Sequence, residues 1–352
     1  MDRARATLDG LIARSKTPGL QYLALKVDRT VFEYASGRAD ILHQAPMTAS
    51  TTMMAYSMSK TITAAAVLQL VGLGRVSLDD PIDTYHPTPY GKEITVRYLL
   101  AHLSGIPNPI PLRWVHSAEH HSRFNEQAAL DAELRAHPRL AFAPGARYRY
   151  SNIGYWLLGS VVERASGQPF VTYVADHVLA PLGVTARELG YAIPDPHSHA
   201  HGYLEKYSLM NLAKRLLIDR EFIGEYEGRW LQIAPHYLNG PAFGGLVGTA
   251  RGFGKFLQDQ LRARSTLLEN PARELFYAPQ RTTSGRVVPM TLGWHIGDLG
   301  GAPFFFKEGG GGGFHCEMRV YRVHHVATVV MSNATGFDVK GCLNALDPTF
   351  LS

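Results

Sequence analysis

The stretch YSMSKTITAAAVLQLVGLG, Tyr56 to Gly74, begins with a serine and a lysine three positions apart, Ser57-Met58-Ser59-Lys60. Small and aliphatic residues follow at helical spacing, with Ala64, Ala65 and Ala66 at the centre and Gly72 and Gly74 as closing signals. On a helix, residues three apart share a face one turn apart, so Lys60 is placed to point back at the Ser57 hydroxyl. A serine is a weak nucleophile until a neighbour takes its proton. A lysine can do this only where burial or nearby positive charge lowers its pKa. The helix start adds a backbone N–H and the positive end of the helix dipole. Taken alone, the spacing reads more readily as a serine cap followed by a solvated lysine.

Outward from this helix, Gln21 to Val27 and Thr30 to Ser36 read as two strands joined at Asp28-Arg29, an antiparallel hairpin. Val76 to about Asn239 reads as mostly helical, with turns at Pro107-Asn108-Pro109 and Pro144-Gly145 and a clear helix from Ile153 to Ala165 ahead of Gly167. A further helix is expected from Thr249 to Arg262. Strands are expected at Leu292 to Ile296, Glu317 to Tyr321 and His325 to Met331, with a last helix from Val339 to Ala345. Strands at both ends with helices between imply an α+β fold. One antiparallel sheet is built from the two chain ends, and a cleft faces a helical half.

Two more elements could carry chemistry. Tyr150-Ser151-Asn152 precedes the Ile153 helix; a tyrosine near lysines can act as a general base, and an asparagine amide can hold a substrate. Equally, the trio reads as a capping pair beside a core tyrosine. Lys307-Glu308-Gly309 leads into the glycine run Gly309 to Gly313, where a ligand can lie against bare backbone and N–H groups can meet an oxyanion. A phosphate loop is excluded because Phe314-His315, not Gly-Lys-Ser/Thr, follows the run.

In order along the chain, these three elements resemble the serine β-lactamase and penicillin-binding protein superfamily, in its class C-like branch of class C β-lactamases, D,D-peptidases, D-aminopeptidases and family VIII esterases. The connecting segments LLAHLSGIP (Leu99 to Pro107), FAPGARYRYSNIGYWLLGSVVERASG (Phe142 to Gly167), PLGV (Pro181 to Val184) and GGLVGTARGFGKFL (Gly244 to Leu257) look like those of the branch. The resemblance runs from about Pro18 to Asn333. It implies a β-lactamase/transpeptidase-like fold, an antiparallel sheet flanked by helices plus a mostly helical region. A single catalytic domain over residues 1–352 follows, with a sheet lobe at about 1–55 and 240–352 and a helical lobe at about 56–239.

The same resemblance assigns roles. Ser57 would be acylated and Lys60 would exchange its proton. Tyr150 would be general base and acid, with its pKa lowered by Lys60 and Lys307. Asn152 would contact the acyl group, and the backbone N–H groups of Ser57 and Gly310 would form the oxyanion hole. Glu308 departs from the pattern, standing where lactamases and peptidases carry threonine. Facing the cleft, it would repel a substrate carboxylate by roughly 4 kcal/mol for charges about 4 Å apart; pairing with Lys307 or Arg319 is the other reading. This departure favours a carboxylesterase for small acyl esters over a β-lactamase, a D-amino-acid amidase, a D,D-peptidase or an acyltransferase. A non-catalytic binding homologue is the reading from another class. The aromatic segment Tyr203 to Tyr237, with an amphipathic stretch from Leu209 to Ile223, is expected to roof the cleft or to form a surface helix.

Composition narrows the field. Of 352 residues, 45% are hydrophobic and 18% charged, which excludes disorder, and 35 basic against 30 acidic residues leave a net charge of +5 with no basic block for nucleic acid or lipid. The partner expected is a small-molecule ester or amide, with no cofactor. Cys316 and Cys342 cannot make a disulfide framework, and Cys316 reads as a small buried residue. His197-x-His199-x-His201 invites a metal reading, but only Asp195 is near in sequence, and no metal is expected. His315 is expected to line the cleft. No serine sits in G-x-S-x-G, which excludes that type of hydrolase. Met1 to Gly19 lacks the apolar run of a secretory signal, so the expected location is the cytoplasm, or the periplasm if the N-terminus has been trimmed.

Overall fold

Seven antiparallel strands form the frame of the molecule. Their order is His295–Leu299, Ala302–Gly311, Phe314–Tyr321, Val326–Ser332, Gly19–Leu25, Thr30–Asp40 and Ala45–Pro46. The computed structural model describes residues 1–109, 114–212 and 219–351. The two chain ends meet at the sheet centre, where Gly19–Leu25 pairs with Val326–Ser332 and Leu23 lies opposite Val329. Every residue of these two strands is buried, because helices cover both faces. On one face the terminal helices Asp2–Ala13 and Val339–Leu346 bring Leu8, Leu343 and Leu346 against Leu20 and Tyr22. On the other, the helix Ala250–Leu261 sets Phe253, Phe256 and Leu257 into the core that holds Leu23 and Leu25.

The helix read from the Ser57 stretch runs from Ser59 to Gly72, and it is buried without interruption from Ser59 to Leu68. Where neighbours press closest, the helix carries small residues. At Gly293 an added Cβ would lie 2.6 Å from the Cβ of Ala64. The helix Asn152–Ser166 lies alongside, opened by Ser151 accepting from Gly154 N at 3.1 Å and closed by left-handed Gly167.

The mostly helical region before residue 239 also holds strands: Gly202–Glu205, Ile223–Glu227 and Trp230–Ile233 form a three-stranded sheet, and His236–Leu238 pairs with Val115–Ser117. Aromatic and β-branched residues on either side of the Gly228 turn suit a pleated surface better than a helix. Of the amphipathic stretch, Leu209–Leu212 is one short helix, Arg220–Phe222 a 3₁₀ turn, and residues 213–218 lie outside the described residues. The glycine run is part strand and part turn: Ala302–Gly311 is one continuous strand with Gly309 to Gly311 at its end, and Gly312 and Gly313 turn the chain into Phe314–Tyr321. The strand expected at Leu292 begins only at His295. No helix among the described residues is long and apolar enough to cross a membrane.

A buried charge cluster ties the C-terminal helix to the sheet. Arg319 Nε donates to Glu317 Oε1 at 2.5 Å, and its Nη1 donates to Asp347 Oδ2 at 3.3 Å. Asp347 also accepts from Tyr22 at 3.1 Å and from Tyr321 at 2.7 Å. Burial outweighs these partners and raises the Asp347 pKa to about 6. Replacing Arg319 with methionine strands two buried carboxylates, so Arg319→Met should lose about 3–5 kcal/mol of unfolding free energy in urea at pH 7. A carboxyl whose folded pKa is raised binds its proton more readily in the native state. The loss should therefore shrink as pH falls below about 6, and equal losses at pH 7 and pH 5 would contradict this account.

Candidate active site

Ser57 sits in the 3₁₀ turn Tyr56–Met58 that leads into the central helix. Tyr56 has φ +44°, the left-handed region, which costs a bulky residue about 1–2 kcal/mol. Its ring is pinned by its hydroxyl, which donates to Gly312 O at 2.8 Å and lies 3.0 Å from His236 Nε2. The strand Ala302–Gly311 passes so close that side chains are excluded. A Cβ on Gly309 would lie 2.2 Å from Ala55 O and 2.9 Å from Ser57 N, and one on Gly311 would lie 2.4 Å from the Tyr56 ring. Cys316 is a buried thiol beneath this contact, 3.2 Å from both Ala55 O and Gly309 O, and burial raises its pKa.

Around the Ser57 hydroxyl the fold gathers Lys60, Tyr150, Asn152 and Lys307. Lys60 Nζ is 2.9 Å from Ser57 Oγ, 2.8 Å from Asn152 Oδ1 and 2.6 Å from Phe243 O. The Tyr150 hydroxyl donates to Ser57 Oγ at 2.7 Å. Lys307 Nζ is fully buried, lies 5.5 Å from the centre of the Tyr150 ring and has no hydrogen-bond partner among the described residues. Burial, and then the charge of Lys307, hold the Lys60 pKa well below its usual value; burial pulls Lys307 down to about 7. Lys60 therefore favours the neutral amine, while Lys307 lies near its balance point at neutral pH.

Tyr150 departs from the expected lowering of its pKa. Burial of the phenolate raises it, and the two lysines cannot reverse this because they are themselves pushed toward neutrality. The resting side chain is a phenol that donates a hydrogen bond. Asn152 opens the Asn152–Ser166 helix, and its backbone N donates to Asn108 Oδ1 at 2.9 Å while its side chain holds Lys60.

Glu308 and His315 lie elsewhere than expected. Strand alternation places Lys307 and Glu308 on opposite faces, and Glu308 pairs with neither Lys307 nor Arg319 but with His315, Nε2 to Oε1 2.7 Å. Arg319 is taken by Glu317 and Asp347. The other His315 ring nitrogen donates to Phe337 O at 2.7 Å, so two acceptors face one ring. Burial alone would lower the His315 pKa, but the bond and charge of Glu308 raise it, and the bond from His315 lowers that of Glu308. The pair is an imidazolium and a carboxylate, close to neutral together. Gly310 follows Gly309 on the strand, and its Cβ direction points at the His315 ring, 3.0 Å away.

Two histidines escaped the sequence reading. His102 lies 4.4 Å from the Tyr150 ring and accepts from Ser151 N at 3.2 Å; burial first, then Lys307 and Lys60, hold it neutral. His295 Nε2 is 3.1 Å from the Tyr148 hydroxyl, and burial with the same two lysines lowers its pKa to about 2. Only the place of His102 inside LLAHLSGIP pointed to it.

The family described as Beta-lactamase matches residues 4–346. Over 313 residues the chain is 22% identical to a penicillin-binding protein of Bacillus subtilis (strain 168), covering 88% of this chain and 66% of that one. Over 215 residues it is 31% identical to esterase EstB of Burkholderia gladioli, covering 57% of this chain and 54% of that one. The chain thus spans at most about two thirds of the length of these curated relatives. In fold it is similar to the D-amino acid amidase of Ochrobactrum anthropi SV3 complexed with L-phenylalanine, with TM-score 0.81, 21% identity and coverage of 99% and 98%.

The close approach at Gly309 yields a test. Gly309→Ala must displace backbone and should cost about 1–3 kcal/mol in urea unfolding. Gly312→Ala, whose nearest neighbour would be 3.6 Å away, should be close to neutral. Equal effects would show that strand contact is not what the glycines provide.

Proposed function

The chain belongs to the beta-lactamase family, and from that premise we propose that it is a serine hydrolase that works through an acyl-enzyme on Ser57, with esters of small carboxylic acids as substrates. The observation that carries this reading is the position of Ser57 Oγ, 2.9 Å from Lys60 Nζ and 2.7 Å from the Tyr150 hydroxyl. A neutral Lys60 has two N–H groups, and Asn152 Oδ1 and Phe243 O accept them. Its lone pair is then left for the Ser57 proton, with burial as the cause of its basicity.

Attack of Ser57 Oγ on the ester carbonyl passes the serine proton to Lys60. The developing oxyanion lies against the backbone N–H groups of Ser57 and Gly310; loss of one such donor typically costs about a hundred-fold or more in rate. The leaving alkoxide takes a proton from the Tyr150 phenol, and the phenolate is restored by a proton relayed from Lys60. Water then attacks the acyl-enzyme and gives a proton to Lys60; the departing Ser57 oxygen takes one from Tyr150, which Lys60 reprotonates, so the free acid leaves and the resting site is restored. Tyr150 thus begins as an acid rather than as a base.

A neutral ester suits the site better than a carboxylate-bearing lactam or peptide. Burial disfavours charge on both lysines, and His315, the cation beside the glycine run, already faces Glu308. The 31% identity to esterase EstB supports the same substrate class.

Fluorophosphonate should leave one adduct, on Ser57, by mass spectrometry; its absence sinks the acyl-enzyme. Ser57→Ala should retain the wild-type melting temperature and lose turnover of p-nitrophenyl acetate. Nitrocefin turnover at a comparable rate would instead identify a lactamase. Since Lys60 must be neutral to take the Ser57 proton, kcat/KM should fall with falling pH along an acid limb set by Lys60, well below the ordinary lysine range. Lys307→Met removes a charge that lowers the Lys60 pKa, so the acid limb should move to higher pH; an unmoved limb would free Lys60 from that influence.

A further inference from the structure

Away from Ser57, the fold joins three residues that are far apart in sequence. Asp40 ends the strand Thr30–Asp40, His201 precedes Gly202–Glu205, and Glu227 ends Ile223–Glu227. One ligand atom of each lies within 4.8 Å of the other two, and all three side chains are half-buried. Asp40 Oδ2 is 3.6 Å from His201 Nδ1 and 2.6 Å from the Nδ1 of exposed His43. Among the described residues, neither carboxylate forms an ion pair with a lysine or arginine.

The cluster is held in place from outside. Glu227 Oε2 accepts from the Tyr203 hydroxyl and from Leu42 N, both at 3.0 Å, and Asp40 Oδ1 accepts from His43 N at 3.1 Å. Outer hydrogen bonds of this kind fix the aim of metal ligands. Gln232 Nε2 lies 2.7 Å from His201 Nδ1, the ring nitrogen nearest Asp40, and a bound cation would take its place there. Two carboxylates and one imidazole, with a second imidazole adjoining, form an oxygen and nitrogen set that suits zinc and its neighbours. Closing 4.8 Å to the roughly 3.3 Å edge of a zinc coordination sphere takes only small side-chain rotations.

We propose that Asp40, His201 and Glu227, joined by His43, bind one zinc-class divalent cation that fastens the three-stranded sheet to the edge of the main sheet. The alternating histidines do not converge on one point, for His199 Nδ1 is 3.0 Å from the Thr52 hydroxyl and only His201 reaches the carboxylates. The fastened strand also backs the glycine run. Tyr203, whose hydroxyl Glu227 holds, donates its backbone N to Gly313 O at 3.0 Å and Asn333 O at 3.1 Å.

Zinc chloride titrated into chelator-treated protein, followed by calorimetry and by thermal unfolding, tests the site. One ion should bind per chain and raise the melting temperature by several degrees. Glu227→Gln keeps an oxygen for Tyr203 and Leu42, and His43→Gln alters an exposed residue, so both should fold. Glu227→Gln should weaken zinc binding about ten-fold or more and remove the thermal shift, and His43→Gln should weaken binding several-fold. No saturable binding by the wild type overturns the proposal. So does unchanged affinity in both variants, which would put the zinc on other histidines such as His116 and His121.

Discussion

A strand without side chains pressed against a strained turn is the contact on which the site depends. Ala55 O and Ser57 N come closer to Gly309 than any Cβ would permit, and Gly311 leaves the space that the Tyr56 ring fills. The ring in turn holds Tyr56 in the left-handed conformation that sets Ser57 at the head of the central helix. Shifting the strand would release the turn, and relaxing the turn would open the strand contact. Cys316 seals both from below.

Burial sets the electrostatics of this contact. Two lysines enclosed by aromatic rings cannot both carry a charge without solvent, so both pKa values fall and Lys60 favours the neutral form. The same dry surroundings keep the Tyr150 phenol protonated and His102 and His295 neutral. Charge is kept where partners exist, at Glu308 with His315 on the opposite side of the strand and at Arg319 with Glu317 and Asp347.

Spacing alone favoured a serine cap and a solvated lysine; the order of three motifs, through the family they resemble, tied Ser57, Lys60, Tyr150, Asn152 and Lys307 together. The terminal strands and the helix from Ile153 were legible from periodicity. The strand Ala302–Gly311 was not, because its glycines signal flexibility until the neighbour they must clear is known. Missing that strand hid the alternation that separates Lys307 from Glu308. The direction of the Tyr150 shift was equally out of reach, since proximity to lysines is visible in motifs and the depth of burial is not. His102, His295 and the meeting of Asp40 with Glu227 rest on contacts across many residues, which periodicity does not record.

The pairing of Gly19–Leu25 with Val326–Ser332 bears on how the chain acquires its shape. Contacts of such long sequence separation close slowly, because the loop between them must be ordered first. During synthesis the first hairpin must wait for almost the whole remaining chain before its central edge is covered, exposing a hydrophobic strand to aggregation meanwhile. A nascent chain that ends before Ala302 already carries Ser57, Lys60 and Tyr150, yet lacks the strand that orders them. Assembly of the site is therefore a late event, coupled to completion of the sheet.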